Sequence, residues 1–234
     1  VAPRRGVNVL KAVVFDFDGI IVDSEPMHYR AFQKVLEPLG AGYTWQEYID
    51  RYMGFDDRDA FREAFRVHGL QLREGQLQEL IDVKAACFQE VIAAGVQPYP
   101  GVVELIRSLS GTVPLAICSG ALRSDIEPVL DQLSLTGAFD RMVTADEVQV
   151  SKPDPASYLL AVSQLQEAFP GVGITSASSL AIEDTPAGIV SAVNAGLKVL
   201  AVTNSYPASE LGMAVKSVDS LAGISVEDLR RLVA

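Results

Sequence analysis

The chain has 234 residues, 49% hydrophobic and 21% charged, a balance that suits a folded globular protein and excludes a disordered one. Lys and Arg total 19 against 30 Asp and Glu, giving a net charge of 19 − 30 = −11; nucleic acid and anionic membrane surfaces, which need a basic face, are excluded as partners. No apolar run approaches the roughly 18 residues of a membrane-crossing helix, and the stretch VAPRRGVNVLKAVV lacks the pattern of a signal peptide, so a cytoplasmic location is expected.

In chain order, the first predicted element is a strand over 10–18, LKAVVFDFD. The interval 26–94 then reads as helical throughout, punctuated by Gly40, Gly54, Gly69 and Gly95 into about four helices. In the last of these, Leu77, Leu80, Ile81, Phe88, Val91 and Ile92 recur three and four residues apart, an apolar stripe suited to core packing. The prolines and glycine of GVQPYPG suit a hinge at its end. Further strands are predicted at 113–119, 141–146, 179–184 and 198–203, with helical patterns between them, the sign of parallel strands joined by crossover helices. The helix in TPAGIVSAVNAG carries its own end signals: Thr185 as cap, Pro186 in the first turn and Gly196 past the end. The expected organisation is an α/β domain over 1–23 and 96–234, with an all-helical domain, 24–95, inserted after its first strand. The two cysteines, Cys87 and Cys118, fall in a helical and a strand pattern and are expected to be reduced, buried thiols.

In open α/β sheets, ligands collect at the carboxyl ends of the strands. Four such ends carry reactive groups here. Asp16 and Asp18 close the first strand, Ser119 with Gly120 the second, Lys152 follows the third, and Glu183 and Asp184 close the fourth. Paired carboxylates one residue apart repel and cost desolvation if buried, so a purely structural purpose explains them poorly.

The segments DFDG with DSE, CSG, SKPDP and IEDTPAG, in this order, resemble the motifs of the haloacid dehalogenase superfamily of phosphohydrolases. The resemblance extends over essentially all of the chain beyond residue 9. It implies a doubly wound parallel, Rossmann-like sheet, and the helical insert is similar to the cap of the branch containing β-phosphoglucomutase and phosphoglycolate phosphatase. In that family Asp16 would be the nucleophile that forms an aspartyl-phosphate, splitting one hard step into two. Asp18 would be the acid and then the base, a role worth about 10²–10⁴ in rate. It would enter the reaction protonated while Asp16 is ionised.

Attack by a carboxylate on an anionic phosphate meets about 4 kcal/mol of repulsion per charge pair at 4 Å and an effective dielectric near 20. A divalent cation removes that obstacle, and oxygen ligands without clustered His or Cys point to Mg²⁺. The ligands the resemblance implies are Asp16, Asp184 and the backbone carbonyl of Asp18. Glu183 would be a further ligand or an acceptor behind the first ones. Lys152 would supply a fixed cation, and Ser119 and the Gly120 amide would donate to the phosphoryl oxygens.

In the loop MGFDDRDAF, Met53, Asp56 and Asp57 stand where β-phosphoglucomutases carry a basic loop for a second phosphate, leaving Arg58 as a candidate anion contact. His28 stands where those enzymes have a hinge histidine; an ordinary, partly exposed helical histidine is the alternative. The expected function is a Mg²⁺-dependent phosphatase for a small phosphorylated metabolite, of the sugar phosphate or phosphoglycolate type. The first alternative is a β-phosphoglucomutase-type phosphotransferase. A dehalogenase would need neither Asp18 nor magnesium, and a non-enzymatic phospho-acceptor module would have no large helical insert.

Overall fold

The computed structural model describes residues 9–93 and 95–234. Its centre is a sheet of six parallel strands: β1 (Ala12–Phe15), β2 (Leu115–Cys118), β3 (Arg141–Val143), β4 (Ser179–Glu183), β5 (Lys198–Val202) and β6 (Lys216–Val218). They lie in the order β3-β2-β1-β4-β5-β6, so β1 is flanked by β2 and β4 and the order reverses beside it. The five predicted strands are all present. The sixth, β6, has only three residues at the sheet edge and too little apolar pattern to be read from the sequence.

Side chains of a strand alternate between faces, and here the two faces differ in size. Val13, Phe15, Ile117, Ile182 and Leu200 enter one cluster with α5 (Val102–Leu109), α6 (Arg123–Gln132) and α9 (Val226–Val233). Ala12, Val14, Ala116, Ala181 and Ala201 face α7 (Ala156–Ala168) and α8 (Pro186–Asn194) in a second cluster. Small residues on that face let the helices approach closely. The sheet is thus covered on both sides, and the runs of apolar residues in its strands follow from that double burial. The α8 end signals act as expected: Thr185 Oγ1 accepts from the Gly188 amide at 3.0 Å, and Gly196 takes a φ of +87°.

Between β1 and α5 the described residues form four α-helices, α1 (Glu25–Leu36), the short α2 (Trp45–Glu47), α3 (Asp57–Val67) and α4 (Gln76–Ile92), with a 3-10 turn at Glu37–Leu39 and a π-helical turn at Tyr48–Tyr52. Among the described residues of this interval no strand occurs. These helices have a core of their own, in which Phe32, Leu36, Tyr48, Phe61, Phe65 and Ile81 meet. The apolar stripe of α4 divides its work. Leu80 and Ile81 join the helical core, while Phe88 and Ile92 pack into the cluster on the sheet. One long helix therefore couples the helical unit to the α/β unit. Cys118 is buried on β2, Cys87 is half-buried on α4, and both are free thiols. Among the described residues no helix is long and apolar enough to cross a membrane.

Phe61 is fully buried at the centre of the helical core. Phe61→Ala is expected to lower stability by about 3–5 kcal/mol through lost transfer energy and a residual cavity. A urea titration read by tryptophan fluorescence and circular dichroism checks this; an unchanged midpoint would show that the helical core is not packed around this ring.

Candidate active site

The strand order brings the tips of β1, β2 and β4 side by side, and the reactive residues converge there. Asp16 leaves β1 with its amide still bonded to Ile182 O at 2.9 Å. Beyond it the chain curls through Gly19, whose φ of +77° is in the left-handed region. Gly19 is required for a second reason: a Cβ on it would lie 1.9 Å from Asp184 Oδ2. Gly188 plays a similar part at the start of α8, where a Cβ would meet Glu183 Oε1 at 2.0 Å. Both glycines leave room for carboxylates.

Lys152 reaches into this cluster from the loop before α7. Its Nζ donates to Asp16 Oδ1 at 2.8 Å, to Glu183 Oε1 at 2.6 Å and to the Cys118 carbonyl at 3.0 Å. Three strand tips are therefore joined by one ammonium group. Glu183 is fully buried and its oxygens are committed: Oε1 also accepts from Tyr158 at 2.8 Å, and Oε2 from the Asp184 amide at 3.2 Å. Asp184 accepts from the Ser205 hydroxyl at Oδ2, while its Oδ1 is buried without a hydrogen-bond partner. Oxygens of Asp16, Glu183 and Asp184 all lie within 4.8 Å of one another.

Asp18 lines the same cleft and is held by three donors. Ser24 Oγ and His28 Nε2 meet its Oδ1, the latter at 3.2 Å, and Ser119 Oγ meets Oδ2 at 3.3 Å. Ser119 also accepts from the Ala121 amide at 3.0 Å, which fixes the turn before α6. His28 is buried rather than partly exposed: it stacks on Phe88 with ring centroids 4.3 Å apart. Its Nδ1 meets Lys84 Nζ at 2.8 Å, so Nδ1 accepts and Nε2 carries the proton toward Asp18.

Burial and the repulsion of Glu183 and Asp18 raise the Asp16 carboxyl to about 8, with Lys152 pulling the other way. Burial, Asp16 and Glu183 push Asp184 well up. Burial also pushes Asp18 up, but the hydrogen bonds from His28 and Ser24 and the positive charge of Lys84 outweigh it and hold Asp18 below its ordinary value. The cause is local: Asp16 shares one lysine with two other carboxylates, whereas Asp18 has three donors of its own.

Gly120 and Lys152 line a cleft of about 80 Å³ together with Asp16, Asp18, His28 and Phe55 of the loop before α3. Arg58 does not line it. Its guanidinium is taken by Asp56 at 2.7 Å and by the Val148 carbonyl at 3.3 Å, a contact that fastens α3 to the loop before Lys152. Asp56 caps α3 by accepting from the Asp59 amide at 2.9 Å. Asp23 is exposed.

Several site residues escaped the sequence reading. Lys84 is fully buried on α4, bound to Asp57 at 2.8 Å and lying 3.6 Å from Asp125 of α6. Its signal was present, since Lys84 occupies the stripe between Ile81 and Phe88, where a charge must have partners. Ser205 and Asn204 follow β5, another strand tip that could have been searched. Glu25, a cleft residue bonded to Tyr48, was visible only as the last letter of DSE.

The model of the haloacid dehalogenase-like hydrolases matches residues 13–202. The chain belongs to that family. Protein CbbY of Rhodobacter capsulatus is 31% identical over 206 residues, covering 84% of this chain and 87% of that protein. Fructose-1-phosphate phosphatase YqaB of Escherichia coli (strain K12) is 28% identical over 190 residues, covering 81% of this chain and 95% of that protein. A mutant of CbbY from Rhodobacter sphaeroides, solved in complex with xylulose-(1,5)bisphosphate, shares the fold with a TM-score of 0.82 at 22% identity, covering 94% of this chain and 99% of that one.

Gly19→Ala is expected to cost at least about 1–2 kcal/mol from the left-handed backbone alone and to displace the Asp184 carboxylate besides. Thermal denaturation checks the first part; a melting temperature equal to that of the parent would contradict the close approach of Gly19 and Asp184.

Proposed function

We propose that the protein is a magnesium-dependent phosphatase that releases phosphate from a small phosphorylated metabolite through an aspartyl-phosphate on Asp16. The observation that carries this reading is Lys152 Nζ, bonded at once to Asp16 on β1 and Glu183 on β4, beside a small cleft that Asp18 also lines. By family the chain is a hydrolase, and the likeness to a fructose-1-phosphate phosphatase supports a phosphoric monoester as the bond it cuts. The helices of 25–92 serve as a cap, since they supply Glu25, His28, Phe55 and Asp57 to the same cleft.

The residues at the strand tips suit magnesium. Their donors are all oxygens, Asp184 Oδ1 is buried without a partner, and one lysine is too little charge for three clustered carboxylates. Asp16, Asp184 and the backbone carbonyl of Asp18 would hold the ion, with Glu183 behind them because its oxygens already accept from Lys152, Tyr158 and the Asp184 amide. When bound, such an ion would lower the raised Asp16 pKa and keep Asp16 ionised, neutralise the repulsion between carboxylate and phosphate, and stabilise charge on the phosphoryl oxygens.

The chain's own groups then divide the work. The Asp16 carboxylate attacks phosphorus as the bond to the leaving oxygen breaks, and Asp18 gives its proton to that oxygen. Water next attacks the phosphorus of the aspartyl-phosphate, Asp18 takes its proton, and phosphate leaves with Asp16 restored. Asp18 must first gain a proton, and a dianionic ester arriving beside it raises its pKa in the required direction. Ser119 Oγ, the Gly120 amide and Lys152 orient the phosphoryl group, and His28 positions Asp18. Arg58 stays outside this set, because its guanidinium fastens α3 to the Val148 loop.

Asp16→Asn is expected to lower phosphate release by about 10⁴-fold or more, since the nucleophile itself is lost. Release near the parental rate would remove the covalent step. Chelation by EDTA is expected to abolish turnover and added Mg²⁺ to restore it, followed with p-nitrophenyl phosphate; full activity in EDTA would refute the metal's part. Phosphotransfer of the β-phosphoglucomutase type is decided with β-glucose 1-phosphate. Free phosphate is expected to outpace glucose 6-phosphate, and the opposite order would make the protein a mutase.

A further inference from the structure

The two oxygens of a free carboxylate are equivalent, but those of Asp184 are not. Asp184 is buried; its Oδ2 accepts from the Ser205 hydroxyl, while its Oδ1 is enclosed and meets no donor. One oxygen is occupied and the other is bare. Gly19 closes the occupied side, since a Cβ on it would lie 1.9 Å from Asp184 Oδ2 and 3.0 Å from Ser205 Oγ. The carboxylate is thus fixed from the tip of β5, a strand whose end carries none of the acids.

The β5 tip is itself anchored on both sides. The Thr203 amide donates to the Val218 carbonyl of β6 at 2.9 Å, and its hydroxyl donates to Asp219 Oδ1 at 3.1 Å. Asn204 Nδ2 donates to the Gly19 carbonyl at 2.6 Å, which ties the tip to the turn after β1. Ser205 therefore meets Asp184 from a fixed position. Contacts of this kind, one step behind a metal ligand, change metal affinity by about 10–100-fold. They also bear on which ion is held. Mg²⁺ demands near-octahedral geometry with close oxygens, whereas Ca²⁺ takes about 6–8 oxygens at longer distances and readily accepts both oxygens of one carboxylate.

We propose that Ser205 is a positioning residue for the cation: by holding Asp184 Oδ2 it restricts Asp184 to a single ligating oxygen, Oδ1, and so biases the strand tips toward Mg²⁺ and against Ca²⁺. This rests on the metal's part in the phosphatase reading above and deepens it, because it assigns the choice of ion to a residue of the β5 tip. Without the hydroxyl, Oδ2 is free to join Oδ1 on the ion, an arrangement that Ca²⁺ accepts more readily than Mg²⁺.

Isothermal titration calorimetry of the purified full chain, with Mg²⁺ alone and with Ca²⁺ alone, reads both Kd values without any turnover. The parent protein is expected to bind Mg²⁺ the more tightly. Ser205→Ala is expected to raise the Mg²⁺ Kd at least about tenfold and the Ca²⁺ Kd by less than about threefold, so that the preference for Mg²⁺ narrows. A serine with only a structural role would weaken both ions alike. Equal factors for the two ions, or a Mg²⁺ Kd within about threefold of the parental value, therefore overturn the assignment while leaving the phosphatase reading intact. If Ser205→Ala does not fold, the parent decides alone: a Ca²⁺ Kd at least about tenfold above that for Mg²⁺ is expected, and a Ca²⁺ Kd equal to it or lower overturns the assignment. A parent that binds no Mg²⁺ refutes the metal's part in the proposed function, and this inference with it.

Discussion

The structure depends on one ammonium group holding carboxylates that would otherwise force each other apart. Asp16, Glu183 and Asp184 crowd within a few ångströms at the tips of β1 and β4, and each is nearly or fully buried. Burial raises the cost of every charge, and proximity raises it again. Lys152 offsets part of that cost by donating to Asp16, Glu183 and the Cys118 carbonyl, which belongs to β2. Tyr158 and the start of α8 take up the rest of Glu183's acceptor capacity, so Glu183 is rigid and presents Lys152 in one place. The remaining excess of negative charge falls on Asp16 and Asp184. That excess is what the divalent cation of the proposed function would relieve.

A second buried ammonium, Lys84, does comparable work between the helical and α/β units. It connects α4 to His28 of α1, to Asp57 of α3 and to Asp125 of α6, four elements from two cores. A lysine with no solvent exposure survives only when such partners surround it. Through His28 its influence reaches Asp18, and through Asp57 it reaches the helical side of the cleft. The hydrogen bond from His28 to Asp18, the lowering of the Asp18 pKa and the pairing of Asp57 with Lys84 are therefore parts of one electrostatic arrangement. Moving the helical unit away from the sheet would disturb all three together.

Much of this was legible in the sequence because short-range physics controls it. Five of the six strands, the helical interval expected over 26–94 and both ends of α8 follow from apolar periodicity and from Thr185, Pro186 and Gly196 in their expected places. The convergence of Asp16, Asp18, Ser119, Lys152, Glu183 and Asp184 was also readable, because parallel strands bring their carboxyl ends to one edge. The three-residue strand β6 was not, since edge pairing rather than its own side chains makes it a strand.

By itself the sequence determined which residues could do chemistry and on which edge of the sheet they would meet, since strand alternation and crossover connections leave little freedom there. Only the tertiary structure decided which carboxylates are pushed up and which held down, that Arg58 is spent on Asp56, and that Lys84 pairs with Asp57. Those outcomes depend on contacts between residues tens of positions apart, such as Lys84 with His28 or Arg58 with Val148, and no local pattern encodes a partner at that range.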